Sequence, residues 1–395
     1  MNILLATEVI HPGGAETFIL RLATSLQKAG HNVHLFIFYK DGFNDKLYNL
    51  LAPNVPITKA HIPNSFLLRK IDGVLFRLKI DYSFRIQYIK KALRKVIATH
   101  KTEVIHSHLL KTDSVCLDVA SEQNIPVVNT IHGDYLQFYN KTKNNVPIPL
   151  LNYQKKATHN LKRLNRVVCI SDKQLAFFKE HFAEETNNKL SKIYNGYTGQ
   201  VKRQPKELRN KLHIPDGDFV FGMVSRGILE KGWQVAIDAF IKIKTDNTHL
   251  VLVGASDYLT ELQEQYASEK NIHFTGHADN PLDWVNMMDV GLLPTTYPSE
   301  SLPTVVIEYL CCGKPVVASN AGEINNMIKC GEAVAGLIIP IENNTVSAND
   351  VGRAMNTYLN DKPLLEKHIA NTSICYEQFD MKKCIDAYLK EYKHF

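Results

Sequence analysis

Residues 1–38 read MNILLATEVIHPGGAETFILRLATSLQKAGHNVHLFIF, and their pattern decides the fold. Residues 2–6 form a short apolar run. After the turn His11-Pro12-Gly13-Gly14, the side chains Ala15, Phe18, Ile19, Leu22, Ala23 and Leu26 recur at helical spacing until Gly30 stops the helix. A second strand, 33–38, follows at once. Strand, glycine turn, helix and strand make one β-α-β unit, whose strands lie parallel beneath a crossover helix. Further strand candidates at 104–106, 127–130, 167–170 and 192–194 are each separated by a helix-length segment, as in a parallel sheet covered on both faces.

The rhythm restarts after a polar, Gly- and Lys-containing stretch at 196–210, which reads as a linker. Strand candidates then recur at 219–225, 250–254, 272–275, 290–294, 316–319 and 337–339. The simplest architecture is α/β, with two Rossmann-like domains in tandem, 1–197 and 198–377. A last helix, about 381–392, lies beyond the second sheet.

The chain has 395 residues, 45% hydrophobic and 22% charged, which excludes a disordered, collagenous or disulfide-scaffold protein. Seven scattered cysteines without a Cys-x-x-Cys pair read as reduced thiols of a cytoplasmic protein. No secretory leader is expected, and no apolar run approaches the roughly 18 residues of a membrane span. The net charge of +6 hides an asymmetry: residues up to 197 hold 27 basic and 15 acidic side chains, and the remainder 19 and 25.

The densest constellation is YPSESLPTVVIEYLCCGKPVVAS at 297–319. Pro303 suits a helix's first turn and Gly313 its stop. Glu300 then sits at the helix mouth and Glu308 inside, while amides near Thr304 and Val305 meet an anion favoured by the helix dipole. The run SRGILEKG at 225–232 follows a buried strand and sets Arg226 and Lys231 at its carboxyl end, where open α/β sheets bind ligands. Two cations there would neutralise a diphosphate without a metal ion.

Gly13 and Gly14 let the backbone approach a phosphate or sugar, although the dinucleotide fingerprint Gly-x-Gly-x-x-Gly is absent. His106-Ser107-His108 and His132-Gly133-Asp134 close two strands of the first half. Strand packing accounts for His106, and His132 is the better substrate contact. A metal reading of His-x-His lacks a completing carboxylate or cysteine set. Asp216-Gly217-Asp218 reads as a turn after Pro215.

In order along the chain, GGAE at 13–16, VIHSHL at 104–109, TIHGDY at 130–135, CISD at 169–172, IYNGYT at 193–198, Arg226 with Lys231, FTGHADN at 274–280, and Glu300 with Glu308 resemble the retaining glycosyltransferases of family 4, of GT-B fold. The resemblance implies a nucleotide-sugar donor in an interdomain cleft and no cofactor or metal ion. It gives the diphosphate to Arg226 and Lys231, the ribose hydroxyls to Glu308 and the hexose hydroxyls to Glu300. Backbone groups near His277 and Ala278 meet the base, Gly13 and Gly14 approach the donor from the first domain, and His132 touches the sugar near the reacting carbon. His108 and Glu16 face the acceptor. The last segment, about 378–395, crosses back to the first domain. Ser225 replaces a common glycine, and Ser301-Leu302-Pro303-Thr304 replaces Gly-Phe-Gly, so proline removes one amide donor from the phosphate site.

No carboxylate nucleophile of the glycosidase kind is evident. The expected reaction is front-face transfer of a hexosyl group, with a UDP-sugar as the expected donor and the departing phosphate taking the acceptor's proton. The competing readings are a nucleotide-sugar epimerase of the same architecture and a noncatalytic sugar-nucleotide-binding protein. Residues 69–101 carry ten basic and two acidic side chains interleaved with apolar ones, and residues 137–166 add seven cations and no acids. That composition fits either a solvated helix face or an anionic membrane surface, with a glycan or lipid-linked acceptor of bacterial lipopolysaccharide, O-antigen or capsule at the inner face of the cytoplasmic membrane. No motif for nucleic acid accompanies the charge, and the sequence does not define an oligomeric state.

Overall fold

The opening apolar run becomes strand β1 (Asn2–Thr7), and the strand after the first helix becomes β2 (Asn32–Ile37). They pair in parallel, Asn2 opposite Asn32 and Thr7 opposite Ile37. The computed structural model describes residues 1–108, 110–133 and 148–394. With β3 (Ile57–Lys59), β4 (Val104–His108), β5 (Val127–Ile131), β6 (Arg166–Cys169) and β7 (Leu190–Lys192) these strands form a seven-stranded sheet in the order β3-β2-β1-β4-β5-β6-β7. Every pairing in it is parallel.

Alternation along β1 explains why both faces are covered. Ile3 and Leu5 join Phe18, Ile19, Leu22 and Leu26 of the helix Gly14–Lys28 in one core. Leu4 and Ala6 point the other way, into a core with Ile89, Leu93 and Ile97 of the helix Phe84–His100. The helix Met381–Glu391 completes the first of these cores with Cys384, Ile385 and Tyr388. Arg166 pairs with Glu391 to fasten it.

The second sheet contains β8 (Phe219–Val224), β9 (Thr248–Val253), β10 (Ile272–Gly276), β11 (Val290–Leu293) and β12 (Val316–Ser319). After a small antiparallel pair, β13 (Lys329–Cys330) and β14 (Ala333–Val334), comes β15 (Gly336–Ile339). The parallel order is β10-β9-β8-β11-β12-β15. Two Rossmann-like sheets are therefore present, as the rhythm predicts. The compact units are Met1–Gly196 with Met381–Phe395, and Tyr197–Asp380.

Two details differ from the sequence reading. Strand β3 is a three-residue edge strand, too short to show a period. The basic segment 69–101 is two helices, Ser65–Arg77 and Phe84–His100. Asp72 makes the break: its carboxylate accepts from the Ser83 hydroxyl at 2.6 Å and the Phe84 amide at 2.8 Å, while Ser83 caps the second helix through Ile86. Of the second basic stretch, residues 137–147 lie outside the described residues, as do Leu109, Asp134 and Tyr135 of the family-like motifs. Among the described residues no helix is long and apolar enough to cross a membrane.

Candidate active site

In the second sheet, chain order reverses between β8 and β11, since β9 and β10 extend to one side of β8 and β11, β12 and β15 to the other. A crevice opens at the carboxyl ends of such a pair because the two following connections leave toward opposite faces. The connection after β8 carries Arg226 and Lys231; the one after β11 carries Glu300.

These connections are tied together. The Thr296 amide donates to the Glu230 carbonyl at 2.7 Å, and the Thr295 hydroxyl donates to the same oxygen at 3.1 Å. Gly232 allows the approach: its φ is +82°, and a Cβ there would stand 2.1 Å from the Pro294 carbonyl oxygen. The result is a buried ion pair, Lys231 Nζ to Glu300 Oε2 at 2.5 Å, with the Thr295 hydroxyl 3.2 Å from that carboxylate oxygen. Arg226 stays exposed. Its guanidinium carbon lies 5.2 Å from the centre of the Tyr297 ring, and Lys231 Nζ lies 5.0 Å from it. One aromatic ring thus meets both cations.

The loop after β12 supports Glu300 from below. The Glu323 amide donates to the Ser301 carbonyl at 2.8 Å, and Gly322, at φ +55°, leaves no room for a Cβ beside the Glu300 carbonyl oxygen, 2.5 Å away. Ser301, Leu302 and Pro303 lead into the helix Thr304–Cys311, whose cap residue Pro303 supplies no side-chain hydrogen bond to the first turn. That end keeps its partial positive charge for an anion. Inside the helix, Glu308 accepts from the Tyr197 hydroxyl at 3.1 Å. His277 and Ala278 follow the edge strand β10; His277 is exposed, 3.8 Å from Asp279.

The first sheet reverses between β1 and β4. Gly13 precedes the helix Gly14–Lys28, and the Glu16 carboxylate folds back over it, with Oε2 2.5 Å from where a Gly13 Cβ would stand. A glutamate in the first turn also sets its negative charge at the positive end of the helix dipole. Beyond β4 and β5, His108 Nδ1 lies 2.9 Å from His132 Nε2. His106 sits behind, its ring centre 4.1 Å from that of His108, with its nitrogens bonded to Tyr392 at 2.7 Å and Thr130 at 2.8 Å. Burial drives all three rings toward the neutral form, His106 and His108 well below the usual range and His132 down to about 4. On the other face of β4, where Ser107 points, burial pushes the Asp113 carboxyl up to about 7, although Ser107 and Asn129 donate to it at 2.5 and 2.7 Å.

Two sequence profiles match this chain: Glycosyltransferase Family 4 over residues 12–198 and Glycosyl transferases group 1 over residues 204–373. The chain belongs to glycosyltransferase family 4. The enzyme is 26% identical over 343 residues to an alpha-monoglucosyldiacylglycerol synthase of Streptococcus pneumoniae, covering 83% of this chain and 73% of that one. It is 22% identical over 385 residues to an N-acetyl-alpha-D-glucosaminyl L-malate synthase of Bacillus anthracis, covering 95% and 92%. In fold it matches Anabaena Alr3699/HepE in complex with UDP and glucose, with TM-score 0.76 at 19% identity, over 100% of this chain and 99% of that one. The glycosyltransferase is thus of GT-B fold.

Several placements add to the sequence reading of this glycosyltransferase. Lys231 and Glu300, expected to hold different parts of the donor, hold each other. His108, expected to touch the acceptor, is instead fully buried because the rings of His106 and His132 flank it. Tyr297 and Thr295 gain roles here that their sequence pattern does not assign; their one local signal is their position between Pro294 and Glu300. The turn at 216–218 is a turn, with Gly217 at φ +99° and Asp218 bonded to His249 at 2.9 Å. Among the described residues no three His, Cys, Asp or Glu side chains group to hold a metal ion.

Proposed function

We propose that this glycosyltransferase moves a hexosyl group from a UDP-sugar to a hydroxyl of a glycan or lipid-linked acceptor, with retention at the anomeric carbon and without a metal ion. The observation that carries the reading is the convergence of Arg226 and Lys231 on the Tyr297 ring, with Glu300 paired to Lys231, at the switch point of the second sheet. A uridine nucleotide is supported by the UDP of the Anabaena structure. A lipid-linked acceptor is supported by the diacylglycerol product in the name of the Streptococcus pneumoniae relative. The pathway is bacterial lipopolysaccharide, O-antigen or capsule synthesis, at the inner face of the cytoplasmic membrane.

In the reaction the bond from the anomeric carbon to the diphosphate oxygen breaks while the acceptor oxygen adds on the same face. The acceptor's proton passes to the departing phosphate oxygen. Arg226 and Lys231 balance the charge growing there, and the uncapped helix start near Ser301, Leu302, Pro303 and Thr304 adds its dipole. Glu300 holds hexose hydroxyls, Glu308 the ribose and the backbone at His277 and Ala278 the base. Gly13, Gly14 and His132 in the first unit also serve the donor, and Glu16 serves the acceptor. His108 acts through His132.

The test is release of nucleoside diphosphate from UDP-, GDP- and ADP-sugars in the presence of a chelator, with the anomeric configuration of transferred product read by NMR. Release from UDP-sugars and an α product from an α donor are expected. Strict dependence on a divalent ion, or an inverted product, overturns the mechanism.

A further inference from the structure

The helix Ser65–Arg77 buries none of its residues, although much of it is apolar. Leu67, Ile71, Val74 and Leu78 fall at i, i+4, i+7 and i+11, a single stripe, and are 36% to 65% exposed. Phe66, Phe76, Ile80, Tyr82, Phe84 and Tyr88 extend the exposed apolar surface into the next helix. The adjoining stripe about a quarter turn round, Leu68, Asp72 and Leu75, is half-buried, and Asp72 is tied to the start of the next helix. The protein therefore fastens this helix along one side and leaves its apolar stripe in water.

The charge around the stripe has one sign. Lys70 and Arg77 flank it, and Lys70 Nζ lies 4.4 Å over the Phe66 ring. Neither cation, nor Arg69 or Lys79, forms an ion pair among the described residues. In the following helix, by contrast, Lys90 and Arg94 are paired with Asp118 and Glu122. Of the two acids of the region, Asp72 is engaged by that helix, and Asp81, which follows the stripe in sequence, is exposed with Lys156 3.4 Å away. Along the helix Ser65–Arg77 itself, what faces outward is apolar and cationic together.

We infer that the helix Ser65–Arg77 and the residues that follow it to Phe84 lie in the interface of an anionic lipid bilayer, apolar stripe inward and Lys70 and Arg77 at the headgroups. A helix lying in the interface gains from both terms, burial of the stripe and attraction of the cations to anionic lipid, so it requires both. The inference deepens the proposed function and rests on its reading of the acceptor as lipid-linked.

The test is sedimentation of the whole protein with vesicles of phosphatidylcholine, with and without phosphatidylglycerol. Binding is expected only to the anionic vesicles, and high salt should weaken it. The exchange Lys70→Glu with Arg77→Glu should reduce it at least about tenfold, and Leu67→Ser, Val74→Ser and Leu78→Ser together should abolish it with the thermal midpoint unchanged. Because a triple variant could misfold, Val74→Trp in the otherwise native chain gives a second readout, a blue-shifted emission quenched by brominated lipid only in anionic vesicles. Equal binding to both vesicle types, native binding by the triple variant, or self-association without vesicle binding overturns the inference. UDP-sugar hydrolysis without vesicles separates the two readings: hydrolysis with no vesicle binding removes the membrane surface alone, whereas anionic-vesicle binding without hydrolysis of any donor supports the surface and removes the transferase.

Discussion

The ammonium of Lys231 lies 2.5 Å from Glu300 Oε2, with both side chains buried and the two residues 69 positions apart in the chain. A buried cation with no partner is costly, so the carboxylate keeps Lys231 in place before any diphosphate arrives. A donor would then meet a positioned cation, with Arg226 exposed as the second. Positioning before the substrate binds is the condition under which fixed charge lowers a barrier most.

Breaking this pair from one side leaves a buried charge uncompensated. Lys231→Met should therefore cost about 3 kcal/mol of stability, and Glu300→Gln a smaller amount because the amide still accepts from Lys231. Lys231→Met with Glu300→Gln should cost less than the two singles added together. Urea denaturation of the four proteins measures the coupling; strict additivity contradicts the pair's role.

Tyr297 faces both cations, and its ring rather than its hydroxyl makes those contacts. Tyr297→Phe should leave donor affinity nearly unchanged. Tyr297→Leu should raise the donor KM by about fivefold to thirtyfold, from roughly 0.5–1 kcal/mol for each of the two cation–π contacts. Donor titration of both variants decides it, and equal losses would assign the effect to the hydroxyl.

Gly232 is strained for any other residue on two counts, its φ of +82° and the Pro294 carbonyl oxygen 2.1 Å from a would-be Cβ. Gly232→Ala should separate the connections after β8 and β11. The expected result is a stability loss of at least about 1 kcal/mol with a larger proportional loss of donor turnover. A variant with native stability and turnover contradicts the account of how the two loops are joined.

The buried histidines set the acid response. His106, His108 and His132 bind protons less readily in the fold than in the unfolded chain, so their contribution, present above about pH 6.5, is lost on acidification, that of His132 as pH falls toward about 4. His132 alone accounts for about 3 kcal/mol across that window. Asp113, pushed up to about 7, has the opposite sign: its contribution is full at low pH and lost as pH rises through 7. Three rings outweigh one carboxyl, so thermal stability should fall on acidification from pH 6.5 to 4. Asp113→Asn removes the opposing group and should steepen the fall, and His132→Phe should flatten it. A midpoint independent of pH over this range excludes the assignment.

Much of this was legible locally. Strand and helix periods mark each element by itself, and a cation or carboxylate just past a strand is recognisable wherever that strand lies. Arg226, Lys231 and Glu300 were found that way. Their mutual contact was not, because it depends on β8 lying beside β11, and strand order is not written in any one segment. The His108–His132 contact has the same origin, since β4 and β5 are neighbours with His108 opposite Thr130. Composition drew one basic amphipathic segment at 69–101, but only the fold separates its core-facing helix, with Ile89 and Leu93 buried, from its uncovered one. Tyr297 had no period and no charge to mark it.

The central claim is that Arg226 and Lys231 carry the diphosphate of a nucleotide sugar. The direct measurement is the rate of UDP release from a UDP-sugar by the native enzyme and by Arg226→Ala with Lys231→Ala, both confirmed folded by circular dichroism. The account predicts a loss of at least about a hundredfold in the double variant. A double variant that releases UDP at a near-native rate contradicts it.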